Sequence, residues 1–167
     1  MLKKKFNLLI YIVAIVFILF FTLNGFKLYS IKERDIENNN KVILEEENFN
    51  DYSLKLSKDI NYNKLYVYKL KNNEYYVFIY SKSFIFDRYN LDDKFSMREN
   101  SLNTVAKNFK YKNNIKIDLD KEPVKVDVKS NKNYDTRNNL IKYFVIFILI
   151  FYLGYRKDKR KNLSTNL

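Results

Sequence analysis

Of all the acidic residues in this chain, two aspartates have the spacing that is most similar to that of a catalytic pair. Asp118 and Asp120 alternate with apolar residues, so a strand here would place both carboxylates on one face, about 6.5–7 Å apart. Such a separation suits the acid and base of a glycoside hydrolase. However, Lys116, Lys125 and Asp127 continue the same alternation, and strands with one wetted face commonly show it. We therefore interpret the pair as part of a solvated strand face.

Two acidic runs supply oxygen ligands of the kind that Ca²⁺ prefers. They are EEE at residues 45–47 and DD at residues 92–93. Neither run has the spaced acidic residues and the glycine of a calcium-binding loop. The sequence therefore predicts no metal site and no cofactor.

The absence of certain residue types narrows the chemistry further. The 167-residue chain has no histidine, no cysteine and only two glycines, Gly25 and Gly154. Disulfides, metal sites built from Cys or His, and Ser-His or Cys-His catalysis are thereby excluded. Without glycine, residues 26–153 cannot form a P-loop, a dinucleotide fingerprint or a nucleophile elbow. We predict that the protein is not an enzyme.

A cluster of tyrosines is the strongest candidate for a binding surface. Tyrosine combines a broad, rigid ring with a polar tip, which suits contacts to proteins or glycans. The same residue type is also common in buried strands, so a role in the core is the alternative. The cluster comprises Tyr62, Tyr66, Tyr68, Tyr75, Tyr76 and Tyr80, and the candidate interface residues among them are Tyr66, Tyr68, Tyr76 and Tyr80.

The tyrosines lie in the clearest secondary-structure signal of the chain. Residues 64–70 and 75–80 are rich in β-branched and aromatic residues and flank an Asn-Asn turn, which predicts a β-hairpin. Apolar residues alternate with charged ones in residues 115–119 and 124–128, which predicts a second hairpin.

A short helix is predicted between the two hairpins, because apolar residues recur there at helical spacing after a candidate N-cap. The residues concerned are Ser101, Leu102, Val105, Ala106 and Phe109. Residues 42–130 are thus predicted to form a small α+β domain, with one short helix on a mainly antiparallel sheet of four to six strands. The charged residues 27–41 indicate a polar stalk or a frayed helix, and residues 131–139 a linker.

Two apolar segments flank this domain. Residues 6–26 carry no charge and would rise about 31 Å as a helix, which is the thickness of one hydrocarbon core. No small-residue cleavage site follows, so we predict an uncleaved signal anchor. Residues 140–155 carry one charge, Lys142, and are predicted to form a second transmembrane helix. A buried helix of a domain is the alternative for this second segment.

Positive charges lie on the outer side of both apolar segments. Cytoplasmic flanks of membrane spans are enriched in Lys and Arg, so residues 1–5 and 156–167 are predicted to be cytoplasmic and the central domain extracytoplasmic. These flanks carry more than half of the net charge of +12, and the basic composition therefore does not indicate nucleic-acid binding. The topology-determining residues are Lys3, Lys4, Lys5, Arg156, Lys157, Lys159, Arg160 and Lys161.

The order of these segments resembles that of Gram-positive surface proteins attached by sortase. Those proteins carry an LPxTG-type pentapeptide before the hydrophobic stretch. Here the corresponding residues 133–137 read NYDTR: the threonine is present, the proline is missing and an arginine replaces the glycine. The resemblance implies anchoring to the cell wall.

The functional expectation is a non-enzymatic accessory protein or subunit of a bacterial envelope complex. It would lie in the cell membrane with two spans and act by protein–protein binding. Its partners would be membrane lipid and other membrane or envelope proteins, and not nucleic acid. The alternative is a surface or immunity-like protein that binds an external molecule and is anchored to the wall.

Overall fold

The computed structural model describes the backbone of residues 2–25 and 27–164, and the side chains of residues 10–25, 27–150, 152, 154 and 156. It divides into two compact units, Met1–Asn133 and Tyr134–Leu167. The described residues contain seven strands, a 3₁₀-helix at Glu33–Asp35 and three α-helices. The α-helices are α1 (Leu2–Leu23), α2 (Ile36–Glu46) and α3 (Asp135–Ser164).

The first sheet is an antiparallel meander of four strands in the order β1-β2-β3-β4. The predicted first hairpin is confirmed as β2–β3, which pairs Val67 with Val77. Asn73 takes a φ of 60° in its turn, a conformation that asparagine tolerates better than most residues. The strands are β1 (Tyr52–Ile60), β2 (Asn63–Leu70), β3 (Tyr75–Lys82) and β4 (Tyr89–Met97).

The second sheet has three antiparallel strands in the order β5-β6-β7. They are β5 (Ser101–Lys107), β6 (Tyr111–Asp118) and β7 (Lys125–Lys132). The second predicted hairpin is confirmed as β6–β7, but the predicted helix is wrong, because its residues form β5. Val105 is exposed while Ala106 is buried, so the segment alternates with period two and pairs along β6. Sheet pairing overrides the weak helical spacing.

Both faces of the first sheet are buried. One face packs with α2, and its core, the helix-side core, is built around Ile36, Leu44, Tyr66, Tyr68, Leu70, Tyr76, Phe78, Tyr80 and Tyr89. The other face packs with the second sheet, and this inter-sheet core is built around Ile60, Leu65, Val67, Val77, Ile79, Ala106, Ile115, Ile117 and Leu119. Because side chains alternate along a strand, β2 and β3 contribute to both cores. Their sequences are therefore almost continuously apolar.

Much of the segment that the sequence indicates as a stalk or a frayed helix packs into the domain. Ile36, at the start of α2, is fully buried in the helix-side core. The amide of Asn40 is also buried; its Oδ1 accepts a hydrogen bond of 2.6 Å from the Tyr80 hydroxyl. Burial of an asparagine is tolerated when its polar atoms find such partners.

The prediction of two transmembrane helices is wrong. Across the residues that the structure describes, no helix has both the length and the apolarity for a membrane crossing. Asp135, Arg137 and Lys142 place charges in the first part of α3.

The fold class is corrected accordingly to an α+β fold of two antiparallel sheets with three helices in the described part of the chain. The signal anchor, the extracytoplasmic position of the domain and the multi-pass membrane localisation with cytoplasmic termini depended on the two spans. These predictions are wrong for the same reason.

Most side chains of the two basic clusters lie outside the described ones. Arg156 is exposed. The side chains of the other topology-determining residues lie outside the described ones; they are Lys3, Lys4, Lys5, Lys157, Lys159, Arg160 and Lys161. Large apolar side chains are exposed along α1 and α3, among them Phe17 and Phe144, so each helix presents an apolar surface.

Candidate functional site

Aromatic side chains from three connections meet at one end of the two sheets. We call this surface the aromatic end, and define it by Tyr62, Phe84, Ile85, Phe86, Phe109 and Tyr111. Tyr62 lies in the β1–β2 turn, Phe84 in the β3–β4 loop and Phe109 in the β5–β6 turn. The Phe84 and Phe109 ring centroids are 4.5 Å apart, and those of Tyr62 and Phe109 are 5.0 Å apart. The three connections thus form one contiguous surface.

The aromatic end is unusually exposed for its composition. The exposed fractions are 42% for Tyr62, 51% for Phe84, 44% for Ile85 and 49% for Phe86. Single exposed apolar residues are ordinary, but adjacent ones form patches that often mark interaction sites. Phe86 also contacts Phe20 of α1, with ring centroids 5.8 Å apart.

The β1–β2 turn places Tyr62 in a strained backbone conformation. Asn61 and Tyr62 have φ values of 41° and 66°, the positive values that a two-residue hairpin turn of this kind requires. For a residue with a Cβ atom this conformation costs roughly 1–2 kcal/mol. Glycine would avoid that cost, so the tyrosine at position 62 lowers the stability of the turn. Strain of this sort concentrates at functional sites.

The β3–β4 loop is held by a buried serine. The Ser83 hydroxyl oxygen accepts hydrogen bonds from the backbone N–H groups of Ile85 (3.1 Å) and Phe86 (3.2 Å). The same hydroxyl donates to Oδ1 of Asn24, just beyond α1, at 2.7 Å. Lys82 and Asp87 form an ion pair of 2.6 Å across the loop. The exposed apolar residues therefore project from a fixed backbone.

A network of asparagines lies behind the aromatic end and joins the sheets. Oδ1 of Asn63 in β2 accepts hydrogen bonds from the amides of Asn108 (2.6 Å) and Asn113 (2.9 Å) of the second sheet and its turn. Oδ1 of Asn108 accepts from the backbone N–H groups of Lys110 and Tyr111, which shapes the β5–β6 turn. Since all three asparagines are buried, the network stiffens the base of this surface.

A lysine covers part of the aromatic end. The ammonium of Lys110 lies 5.7 Å from the ring centroid of Tyr62 and 5.5 Å from that of Tyr111. Both distances lie within the range of cation–π attraction. The aromatic end therefore carries positive charge beside its rings.

The four tyrosines selected as candidate interface residues lie outside the aromatic end. Tyr66, Tyr68, Tyr76 and Tyr80 are all buried in the helix-side core, so they are not available as a contact surface in this structure. Burial raises the pKa of Tyr80 to about 12. Residue type alone does not separate a buried strand tyrosine from an exposed one.

Three of the acidic residues selected from the sequence pair with lysines. Glu47 pairs with Lys94 at 2.6 Å, and Asp92 with Lys27 at 2.7 Å. Asp118 pairs with Lys121 at 2.9 Å, and this hydrogen bond holds the pKa of its carboxyl below the usual range. Asp120 lies beyond the end of β6, so it does not share a strand face with Asp118. In the described residues no group of three or more acidic side chains could hold a metal ion.

Apart from Tyr62, which belongs to the tyrosine cluster, the sequence does not mark the residues of the aromatic end as a site, because they lie in connections where no periodic pattern is present. Its signal in the sequence is the apolar run at residues 84–86, followed at once by Asp87 and Arg88. The chain matches no family model, no curated protein and no solved structure.

Proposed function

We propose that this chain is a non-enzymatic binding protein that recognises another protein through the aromatic end. The observation that carries the proposal is the contiguous exposure of Tyr62, Phe84, Ile85 and Phe86 on adjoining connections. Aromatic residues are enriched at protein interfaces, where a few buried side chains supply most of the binding energy. Membership of the partner in an envelope complex stays a prediction.

The hydrogen bonds that hold the connections of the aromatic end in place favour a role for this surface in binding. Ser83 and the asparagine network hold the loops in one arrangement, so little conformational entropy would be lost on association. The strained φ of Tyr62 lowers the stability of the turn and keeps an aromatic ring where it is partly exposed. The other positive-φ positions of the described turns after Gly25 are taken by asparagine, which tolerates this conformation better than tyrosine does.

Anchoring to a cell wall has no comparable support. Asp135 and Thr136 of the segment that corresponds to the sorting pentapeptide lie in the first turn of α3. We therefore restrict the proposal to protein binding.

The proposal is tested by site-specific photo-cross-linking of the full-length chain in the cells that produce it. A benzophenone amino acid replaces Phe84 or Phe86, and the matched control replaces Leu54 of β1, which is 42% exposed. We expect one discrete protein to be cross-linked from positions 84 and 86 and not from position 54. The purified partner should then lose at least about tenfold in affinity for the F84S/F86S variant, whereas L54S should bind normally.

Two results would count against the proposal. Equal cross-linking from position 54 would show adhesion that is not specific to the aromatic end. An unchanged affinity of F84S/F86S, with its unfolding transition also unchanged, would show that the exposed rings do not contact the partner.

A further inference from the structure

Three lysines border the aromatic end on the side of the second sheet. Lys110 lies in the β5–β6 turn, and Lys112 and Lys132 lie in the ends of β6 and β7 that adjoin this turn. Lys132 pairs in register with Tyr111, the residue beside Lys112. All three lysines are exposed. We call Lys110, Lys112 and Lys132 the lysine row.

The charge of the lysine row is not balanced within the described part of the chain, where none of the three lysines forms an ion pair. Asp87 of the β3–β4 loop and Asp92 of β4 pair with other lysines, Lys82 and Lys27. An uncompensated group of like charges creates a local positive potential that attracts an oppositely charged partner.

A second copy of this chain does not fit that potential. Its net charge is +12, and symmetric contact through the aromatic end would bring two lysine rows together. Like charges facing each other at an interface cost several kcal/mol. The occupant must therefore differ from this chain in charge.

We infer that the partner presents an acidic segment with an apolar anchor residue to the aromatic end. The anchor contacts the exposed faces of Tyr62 and Phe84, and the carboxylates of the segment pair with the lysine row. This inference rests on the proposed function, because it specifies the partner at that same surface. The rings supply affinity, whereas the lysines supply the choice of partner and a faster association.

The test is the selection of phage-displayed random peptides of about twelve residues on the immobilised full-length chain. We expect peptides that combine Asp or Glu with an aromatic or large aliphatic residue, and an affinity that weakens as salt rises. The K110E/K112E/K132E variant should lose at least about tenfold in affinity for these peptides. The matched control K41E/K55E/K116E makes the same change of charge at exposed lysines elsewhere and should bind within about threefold of the unaltered chain.

The outcomes separate this inference from the proposed function. Selected peptides that are neutral or basic, and whose binding F84S/F86S abolishes, would overturn the acidic partner and leave the aromatic end as a binding site. Peptides that bind F84S/F86S and the unaltered chain equally would overturn the proposed function.

A second experiment tests binding of the chain to vesicles of one part phosphatidylglycerol to two parts phosphatidylcholine. Binding to them through the lysine row, with no acidic peptide selected, would replace the protein partner by an anionic lipid and overturn the inference.

Discussion

The side-chain amide of Asn108 donates a hydrogen bond of 2.6 Å to Oδ1 of Asn63 and so joins the two sheets behind the aromatic end. Asn63 in turn donates to the backbone carbonyl of Tyr80 at 3.0 Å. Directional bonds of this kind can be satisfied in one register only, whereas apolar contacts tolerate small shifts. The asparagine network therefore fixes how the sheets, and the connections they carry, are placed relative to one another.

Removal of Oδ1 of Asn63, the acceptor that Asn108 and Asn113 share, should lower the stability of the two packed sheets. In N63A the amides of Asn108 and Asn113 each lose a partner inside a buried region, so the free energy of unfolding should fall by about 2–3 kcal/mol. Urea denaturation measures this change. N131A, at an exposed position of β7, is the control and should stay within about 0.5 kcal/mol. Equal stability of the two variants would mean that the network contributes nothing.

The ion pair between Lys27 and Asp92 predicts an asymmetry between two variants. Its side chains are 30% and 11% exposed, respectively. K27M leaves a buried carboxylate whose Oδ2 already has no hydrogen-bond partner among the described residues, at a cost of about 3 kcal/mol. D92N leaves a flexible ammonium that can reach water, at a cost of about 1 kcal/mol. Urea denaturation of both variants checks the order, and a more stable K27M would contradict it.

The secondary structure was predictable from sequence where local signals agreed. The hairpins β2–β3 and β6–β7 combine alternating or β-branched strands with turn residues, and these local signals predict both. β5 was not, because Leu102, Val105 and Ala106 also fit helical spacing, and only pairing with β6 decides between the two patterns. Pairing is a tertiary property that a local window does not contain.

The candidate site was less predictable than the fold for a related reason. The aromatic end is assembled from connections far apart in the sequence, and whether its side chains can bind a partner depends on their exposure. Tyr80 and Tyr62 are the same residue type, yet Tyr80 is fully buried while Tyr62 is 42% exposed. Packing of α2 over the first sheet makes this difference, and a polar segment such as residues 30–41 gives little local sign of that packing.

Tyr80 should make stability depend on alkaline pH. Burial raises the pKa of its hydroxyl to about 12, against about 10 in an unfolded chain. Because the folded pKa is the higher one, the stabilisation is complete below about pH 10 and is lost as the pH rises towards 12. Y80F lacks this titration. Between about pH 10 and pH 12, the free energy of unfolding of the unaltered chain should therefore fall more steeply than that of Y80F, and the two slopes should differ by about 1 kcal/mol per pH unit.

Urea denaturation between about pH 7 and pH 11 separates this titration from the hydrogen bonds of the same hydroxyl. Y80F loses the bonds to Asn39 and Asn40 and should be less stable at neutral pH by about 1–2 kcal/mol. The difference from the unaltered chain should then narrow above about pH 10. A constant difference over the whole range would mean that Tyr80 ionises equally in both states.

Replacement of Tyr62 by glycine should separate binding from stability. Glycine relieves the strain of a φ of 66°, which gains about 1 kcal/mol, while loss of the contact with Phe109 costs a similar amount. The free energy of unfolding should thus change little, but affinity for peptides selected on the aromatic end should fall at least about tenfold. N73G, at a φ of 60° in the β2–β3 turn, is the control, with unchanged stability and binding. A Y62G variant that binds normally would show that the strained ring serves the turn alone.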